Sequence, residues 1–390
     1  MEYLICDVET TIYSKGNPYS NRNKLCLLGL RTPSNENLIF DIEYSDHNYQ
    51  EALTQVQELI NQTNLLIVFN GKFDLAWLRR YGIDYSHCKV FDCQLFAYTL
   101  SGQTKAYPSL NEEAQAYGLG TKLDVVYEEY WKNGIDTPDI PYSILQEYLD
   151  GDLQLTHKVF LEQQRVLSSQ SSEFKRLISL VNQDLLVLLE MEYNGLLFDF
   201  DGMTKEASKI EAQMQQTREE LNDQFCNLPS RILNYSSNDC LSSLLYGGTI
   251  IEECRTEIGL YQSGIKQGQP RYKIEKVSHQ TPGICKPPAG SELKKEGYFA
   301  TNEATLRSIK GNAATRRTID SLLNLSKLEK LNGTYYLGLQ KLHQEKDWDP
   351  GYIHGQFNQC VARTGRLSSS APNLQNFPPE IDQFTVTRFP

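Results

Sequence analysis

The chain has 390 residues, of which 40% are hydrophobic and 22% charged, and it carries a net charge of −11 at neutral pH. That length calls for two or more domains, and the acidity argues against a chain that wraps nucleic acid over its whole surface. No apolar run reaches membrane-span length, the start lacks a basic-then-apolar leader, and the nine scattered cysteines form no Cys-x-x-Cys pair, so the expectation is a reducing, cytoplasmic setting with no membrane association, disulfides or structural zinc.

The charge is unevenly placed. Residues 1–160 hold 22 Asp+Glu against 12 Lys+Arg, whereas residues 161–390 hold 27 against 26. The acidity therefore sits in the first part, and a local basic path for phosphates remains open in the second.

Tyr3-Leu4-Ile5-Cys6 reads as a short apolar strand that runs into Asp7 and Glu9. Residues i and i+2 of a strand project to one face, so the two carboxylates aim at one spot. A divalent cation such as Mg²⁺ would offset their repulsion; a solvated acidic strand end is the plainer alternative. Lys24–Thr32 and Asn37–Ile42 read as further strands, and Tyr49–Ile60 has helical spacing. The apolar run 65–69 predicts a central buried strand, broken at Gly71 and followed by a helix to Tyr81. Strands alternating with helices predict an α/β domain with a mixed sheet.

Asn70 and Asp74 lie four apart at that helix start, at the carboxyl end of a strand, where α/β sheets gather their sites. A helix cap and a first-turn dipole partner are the structural alternatives. Asp92 reads as an N-cap. A Gly-, Asp- and Pro-rich loop then leads to a long helix over Tyr142–Leu167. There Tyr148 and Asp152 share a face at i, i+4, and Leu145, Leu149, Leu153, Val159 and Phe160 supply the core side. A surface hydrogen bond would also explain that pair.

Asp-x-Glu, Asn-x-x-x-Asp and Tyr-x-x-x-Asp, in this order, resemble the tyrosine-bearing subgroup of the DEDD 3′–5′ exonucleases, which have an RNase H-like fold. The resemblance implies a two-metal phosphodiester hydrolase acting on a single-stranded 3′ end. Asp7, Glu9, Asp74 and Asp152 would hold two Mg²⁺ or Mn²⁺ ions, Tyr148 would orient the attacking water, and Asn70 would contact DNA. Where relatives commonly carry Asp-Thr, this chain has Asp92-Cys93, outside the ligand set.

From Phe174 the texture turns to long helices. Leu177–Glu192 ends at Gly195, a C-cap candidate. Lys205–Asn227 is polar, with Ile210, Met214 and Leu221 as anchors, and predicts a helix that projects into solvent or lies along a ligand. Ser236, Ser237 or Asn238 could cap the next helix. Residues 247–297, with short β-like runs at Thr249–Glu252 and Tyr272–Val277, read as an inserted hairpin or flap. Helix resumes at Thr301-Asn302-Glu303 and again over Thr318–Leu339. Ile353–Gln359 alternates like a strand, and Thr364–Pro378 offers amides, hydroxyls and one Arg, groups suited to phosphates and minor-groove acceptors.

The Thr364–Pro378 run resembles the segment of family A DNA polymerases (DNA polymerase I-like) that leads into the palm. Asn234–Leu241, Ser326–Leu331 and Tyr335 resemble that family's thumb, and the insertion resembles those of phage members. The resemblance implies an exonuclease domain at 1–170, a mainly helical thumb region at 171–345 with its flap at 247–297, and the beginning of a palm at 346–390. Arg366 would contact the primer terminus, and Asn373, Gln375 and Asn376 would line the template–primer path.

The family's polymerase aspartates are not in these residues. The expectation is therefore the N-terminal subunit of a split polymerase. It would proofread on DNA, with a second, C-terminal chain supplying the fingers and the rest of the palm across a large apolar interface. A DNA-holding scaffold with an idle exonuclease is the alternative, and a stand-alone RNA-trimming exonuclease the more remote one.

Overall fold

The computed structural model describes residues 2–122, 124–264 and 266–387. Its contacts group into two compact units, residues Met1–Phe200 with Leu339–Pro390, and residues Asp201–Gly338.

The first unit is built on a five-stranded sheet of order β3-β2-β1-β4-β5. Its strands are β1 (Leu4–Thr10), β2 (Leu25–Arg31), β3 (Asn37–Asp41), β4 (Leu65–Val68) and β5 (Lys89–Asp92). β1 runs antiparallel to β2 and parallel to β4, and β4 runs parallel to β5. The sheet is thus mixed, as the alternating pattern predicts. The helices are α1 (Gln50–Asn61), α2 (Lys72–Arg80), α3 (Cys93–Leu100), α4 (Leu110–Ala116), α5 (Val125–Glu129), α6 (Tyr142–Ser168) and α7 (Ser172–Asn194).

The two faces of β1 feed two cores. Leu4, Cys6 and Val8 join the cluster that holds Val56, Leu75 and Trp77. Ile5 joins Leu27, Ile67, Leu149 and Leu153 on the α6 side. By the period of two, Asp7 and Glu9 continue the Ile5 row, toward α6. α6 closes on the sheet over Gly29, where an added Cβ would lie 2.7 Å from a Leu153 methyl and 3.1 Å from Leu149. A larger residue there would lift the helix that carries Tyr148 and Asp152 off the strand that carries the other carboxylates.

α7 begins where the sequence changes texture, yet it packs on this same sheet. Ile178 enters one core, and Leu185 and Leu189 enter the other. The buried Asn182 accepts the Asp92 N–H at 2.7 Å and donates to the Ile178 carbonyl at 2.8 Å, which fixes α7 against the end of β5. Gly195 follows at φ +59, as a glycine stop requires. The short strands β6 (Leu196–Phe198), β9 (Tyr352–Ile353) and β12 (Thr385–Val386) form a three-stranded sheet in the same unit, and β10 (Gln356–Asn358) pairs with β11 (Ser368–Ser370). The single strand expected over 353–359 is thus two, interrupted at 354–355.

The second unit carries α8 (Phe200–Gln224), α9 (Asn238–Tyr246), α10 (Glu303–Ser308), α11 (Ala313–Lys330), a π-helical turn over Leu331–Tyr336, and the start of α12 (Leu337–Lys346). α8 departs from its expected role. Met203, Ala207, Ile210, Met214, Thr217 and Leu221 form a buried stripe. Thr318 donates to Gln224, Arg218 pairs with Glu329, and Asn332 donates to Glu211. The helix therefore lies antiparallel to α11 rather than out in solvent. Half of that stripe, Met203, Ala207 and Thr217, is not among the anchors read from the sequence. Ser237 and Asn302 cap α9 and α10. The flap is a hairpin of β7 (Gly248–Leu260) and β8 (Pro270–Thr281), much longer than its β-like runs.

Candidate active site

Three of the predicted ligands meet directly. Oxygen atoms of Asp7, Glu9 and Asp152 all lie within 4.8 Å of one another. β1 delivers the first two at its carboxyl end, where the register with β2 shifts between Glu9 and Thr10. α6 delivers Asp152, which is buried together with Tyr148. A surface hydrogen bond between Tyr148 and Asp152 is thereby excluded.

Asp74 reaches the site from α2, near enough to Asp7 for the two carboxyls to influence each other, although it stands outside the tight trio. The turn before α2 is closely built. Asn70 takes a left-handed φ of +62, and a Cβ on Gly71 would lie 2.1 Å from Val68. Gly71, not Asn70, occupies the cap position of α2. What holds the turn is Asp92, whose carboxylate accepts the backbone N–H groups of Asn70 (3.3 Å), Gly71 (2.8 Å), Gln94 (2.7 Å) and Leu95 (3.2 Å). Asp92 is thus the cap of α3, as expected, and also the clamp on the loop that presents Asp74.

Sequence reading missed Lys122. Its ammonium forms an ion pair with the Asp152 carboxylate and lies 4.5 Å from the centre of the Tyr148 ring. It stands in the loop between α4 and α5, whose glycine-rich texture gives no sign of where a side chain will point. Trp131 packs edge-on to Tyr148, with ring centres 5.6 Å apart, and its Nε1 donates to Thr137 Oγ1 at 3.1 Å. Asp136 accepts the Ile12 N–H at 2.8 Å, tying this loop to the chain just after β1. Lys72, inside the Asn70–Asp74 motif, was likewise unforeseen; it pairs with the buried Glu192 of α7.

Burial dominates the electrostatics. It pushes the Asp7 carboxyl up to about 7, with Asp152 adding to the rise, and it raises Glu9 and Asp74 well above the ordinary carboxylate range. Asp152 is raised less because Lys122 opposes burial. Burial would lower Lys122, but Asp152 and Tyr148 hold it above the ordinary lysine value, so it stays charged. Burial also raises the Tyr148 phenol, which therefore stays protonated.

Among the described residues four carboxylates are faced by one ammonium, and so are under-compensated. An all-oxygen set of this kind suits hard divalent cations, so the donors present fit a metal site. The raised carboxyls also set the sign of a pH effect. The folded chain keeps a proton on Asp7 up to about pH 7, whereas the unfolded chain loses it near pH 4. Stability in chelator should therefore fall as pH rises through that window. Between pH 6 and 8 the Asp7 share is about 1 kcal/mol, or roughly 2–4 °C in melting temperature. Melting in EDTA should show that decline, and Asp7→Asn should lessen it by the Asp7 share; a wild-type curve that climbs with pH would contradict this electrostatic account.

The DNA-contact candidates lie elsewhere. Arg366, Asn373, Gln375 and Asn376 are exposed, in the stretch that carries β11 and the turn after it. Asn373 Oδ1 accepts the Gln375 N–H at 3.1 Å, and Gln375 Nε2 reaches the Leu367 carbonyl at 3.3 Å.

Comparison with known proteins matches residues 1–168 to the 3′–5′ exonuclease family and residues 279–388 to DNA polymerase family A. The chain thus resembles a 3′–5′ exonuclease domain followed by family A DNA polymerase sequence. DNA polymerase I of Synechocystis sp. is 27% identical over 317 residues, covering 81% of this chain and 27% of that protein. DNA polymerase I of Bacillus subtilis is 25% identical over 319 residues, 81% of this chain and 30% of that protein. The chain thus spans less than a third of these polymerases. The POL domain of Pol1 from M. smegmatis, in complex with DNA primer-template and dNTP, superposes with a TM-score of 0.60 at 16% identity, over 96% of this chain and 52% of that one. Exonuclease domains of this kind use divalent metals. No helix among the described residues is long and apolar enough to cross a membrane.

Proposed function

We propose that the part of the first unit built on the five-stranded sheet is an RNase H-like, tyrosine-bearing DEDD exonuclease that removes nucleotides from a single-stranded DNA 3′ end. The observation that carries this reading is the convergence of Asp7, Glu9 and Asp152, with Asp74 near Asp7, inside the stretch that matches the 3′–5′ exonuclease family. Two Mg²⁺ or Mn²⁺ ions held by these carboxylates would supply an activated water and a stabilised leaving 3′ oxygen. Asp7 lies near both Asp74 of α2 and Asp152 of α6, so it is placed to share metal with each. Tyr148, kept protonated and braced by Trp131, positions the water through its hydroxyl and does not act as a base. Asn70, beside Asp74, would hold the 3′-terminal nucleotide.

On this reading the exonuclease comprises residues 1–170, the thumb residues 171–345 with the 247–297 flap, and the palm begins over 346–390. Arg366, Asn373, Gln375 and Asn376 would then meet the primer–template. Polymerase carboxylates would come from sequence outside these residues, and a second chain, as in a split phage-type enzyme, is our reading of its source. The outer face of α7 supports such a docking surface, since Leu180, Val187 and Met191 stand 51%, 59% and 50% exposed. Co-expression with a C-terminal polymerase fragment checks that arrangement; two polypeptides that never copurify would count against it. Proofreading is checked by comparing a mismatched with a paired primer terminus. The mismatched end, already unpaired, should be shortened faster, and equal rates would argue against an editing role.

A further inference from the structure

Among the described residues, Lys122 is the one cation placed among these carboxylates. Its position is built: the backbone N–H donates to Asn111 Oδ1 of α4 at 3.1 Å, which anchors the loop while leaving the side chain long enough to move. Its ammonium is bound to Asp152 and has a second resting place, the face of Tyr148, 4.5 Å away. A cation paired with a carboxylate that is also a metal ligand competes with the metal for that carboxylate.

We propose that Lys122 is the resident counter-ion of the exonuclease site. It neutralises Asp152 while no divalent ion is bound, and gives Asp152 up, moving toward the Tyr148 ring, when one binds. The residue is thus a positioning residue. It keeps a cluster of buried carboxylates tolerable in the metal-free protein, and it sets how much metal is needed to fill the site. The inference rests on the metal-site reading given under Proposed function. Its physical basis is that removing one partner of a buried pair leaves the other uncompensated, so the metal-free state suffers while the metal-bound state does not.

The test is Mn²⁺ binding, followed by electron paramagnetic resonance of the free ion, for the wild-type chain, Lys122→Met and Lys122→Arg. Lys122→Met should bind Mn²⁺ on the order of tenfold more tightly, the worth of one competing ion pair. Its melting temperature should drop in EDTA and return to the wild-type value in saturating Mn²⁺. Lys122→Arg should behave as wild type. Should Lys122→Met not fold, Lys122→Gln carries the same test, since it keeps a donor for Asp152 without the charge. Equal or weaker Mn²⁺ binding by the uncharged variant, beside a wild-type chain that does bind, would overturn the counter-ion role and leave the metal site standing. No binding by wild type would overturn the metal site and this inference with it. A lysine that only braces the loop would lower melting in EDTA and in Mn²⁺ alike.

Discussion

Replacing Asp7 by alanine should cut 3′–5′ exonuclease turnover by at least about 100-fold, more than the loss of an outer-shell partner at a metal site usually costs. The reason is its place in the cluster. Asp7 lies near Asp74 and groups with Glu9 and Asp152, so its removal takes away the carboxylate nearest to both the α2 and the α6 ligands. The substitution should not unfold the chain. It removes a carboxylate whose burial is unfavourable, so the metal-free protein should melt at the same temperature or higher. A variant that melts normally yet digests DNA at the wild-type rate would show that the chemistry lies elsewhere.

Asp92→Ala should act in the opposite way, on stability first. The Asp92 side chain is buried, and it accepts four backbone N–H groups from two separate segments. Alanine leaves those donors without their carboxylate partner, at an expected cost of about 3–5 kcal/mol, or roughly 8–15 °C in melting temperature. The turn at Asn70 and Gly71 would loosen with it, so Asp74 should lose its aim, and exonuclease activity should fall even at temperatures where the variant stays folded. Urea unfolding at a fixed temperature measures the stability loss. A loss below about 1 kcal/mol would mean that water or the backbone replaces the clamp.

The contrast between these two aspartates follows what was legible in the sequence. Asp7, Glu9, Tyr148 and Asp152 sit on a strand and a helix, where periods of two and of 3.6 fix which way a side chain points. The order of the three motifs supplied the rest. Asp92 was legible as a cap for α3 because capping is local, but its reach to Asn70 and Gly71 is tertiary and has no sequence signature. Lys122 stands in a loop whose side-chain directions no periodicity sets, and it was missed for that reason. α8 was misread because Met203, Ala207 and Thr217, half of its buried stripe, were not recognised as anchors. The β7–β8 hairpin was read as shorter than it is because its strands are largely exposed and their sequence is mostly polar, with no alternation to extend them.

The measurement that bears most directly on the central claim uses the purified chain alone, a 5′-labelled single-stranded DNA oligonucleotide, Mg²⁺ and no nucleotides. The account predicts a ladder of products that shorten from the 3′ end, abolished by EDTA and by Asp7→Ala. A folded chain that leaves the label on full-length DNA with Mg²⁺ or Mn²⁺ present, or that releases the 5′ label first, would contradict it.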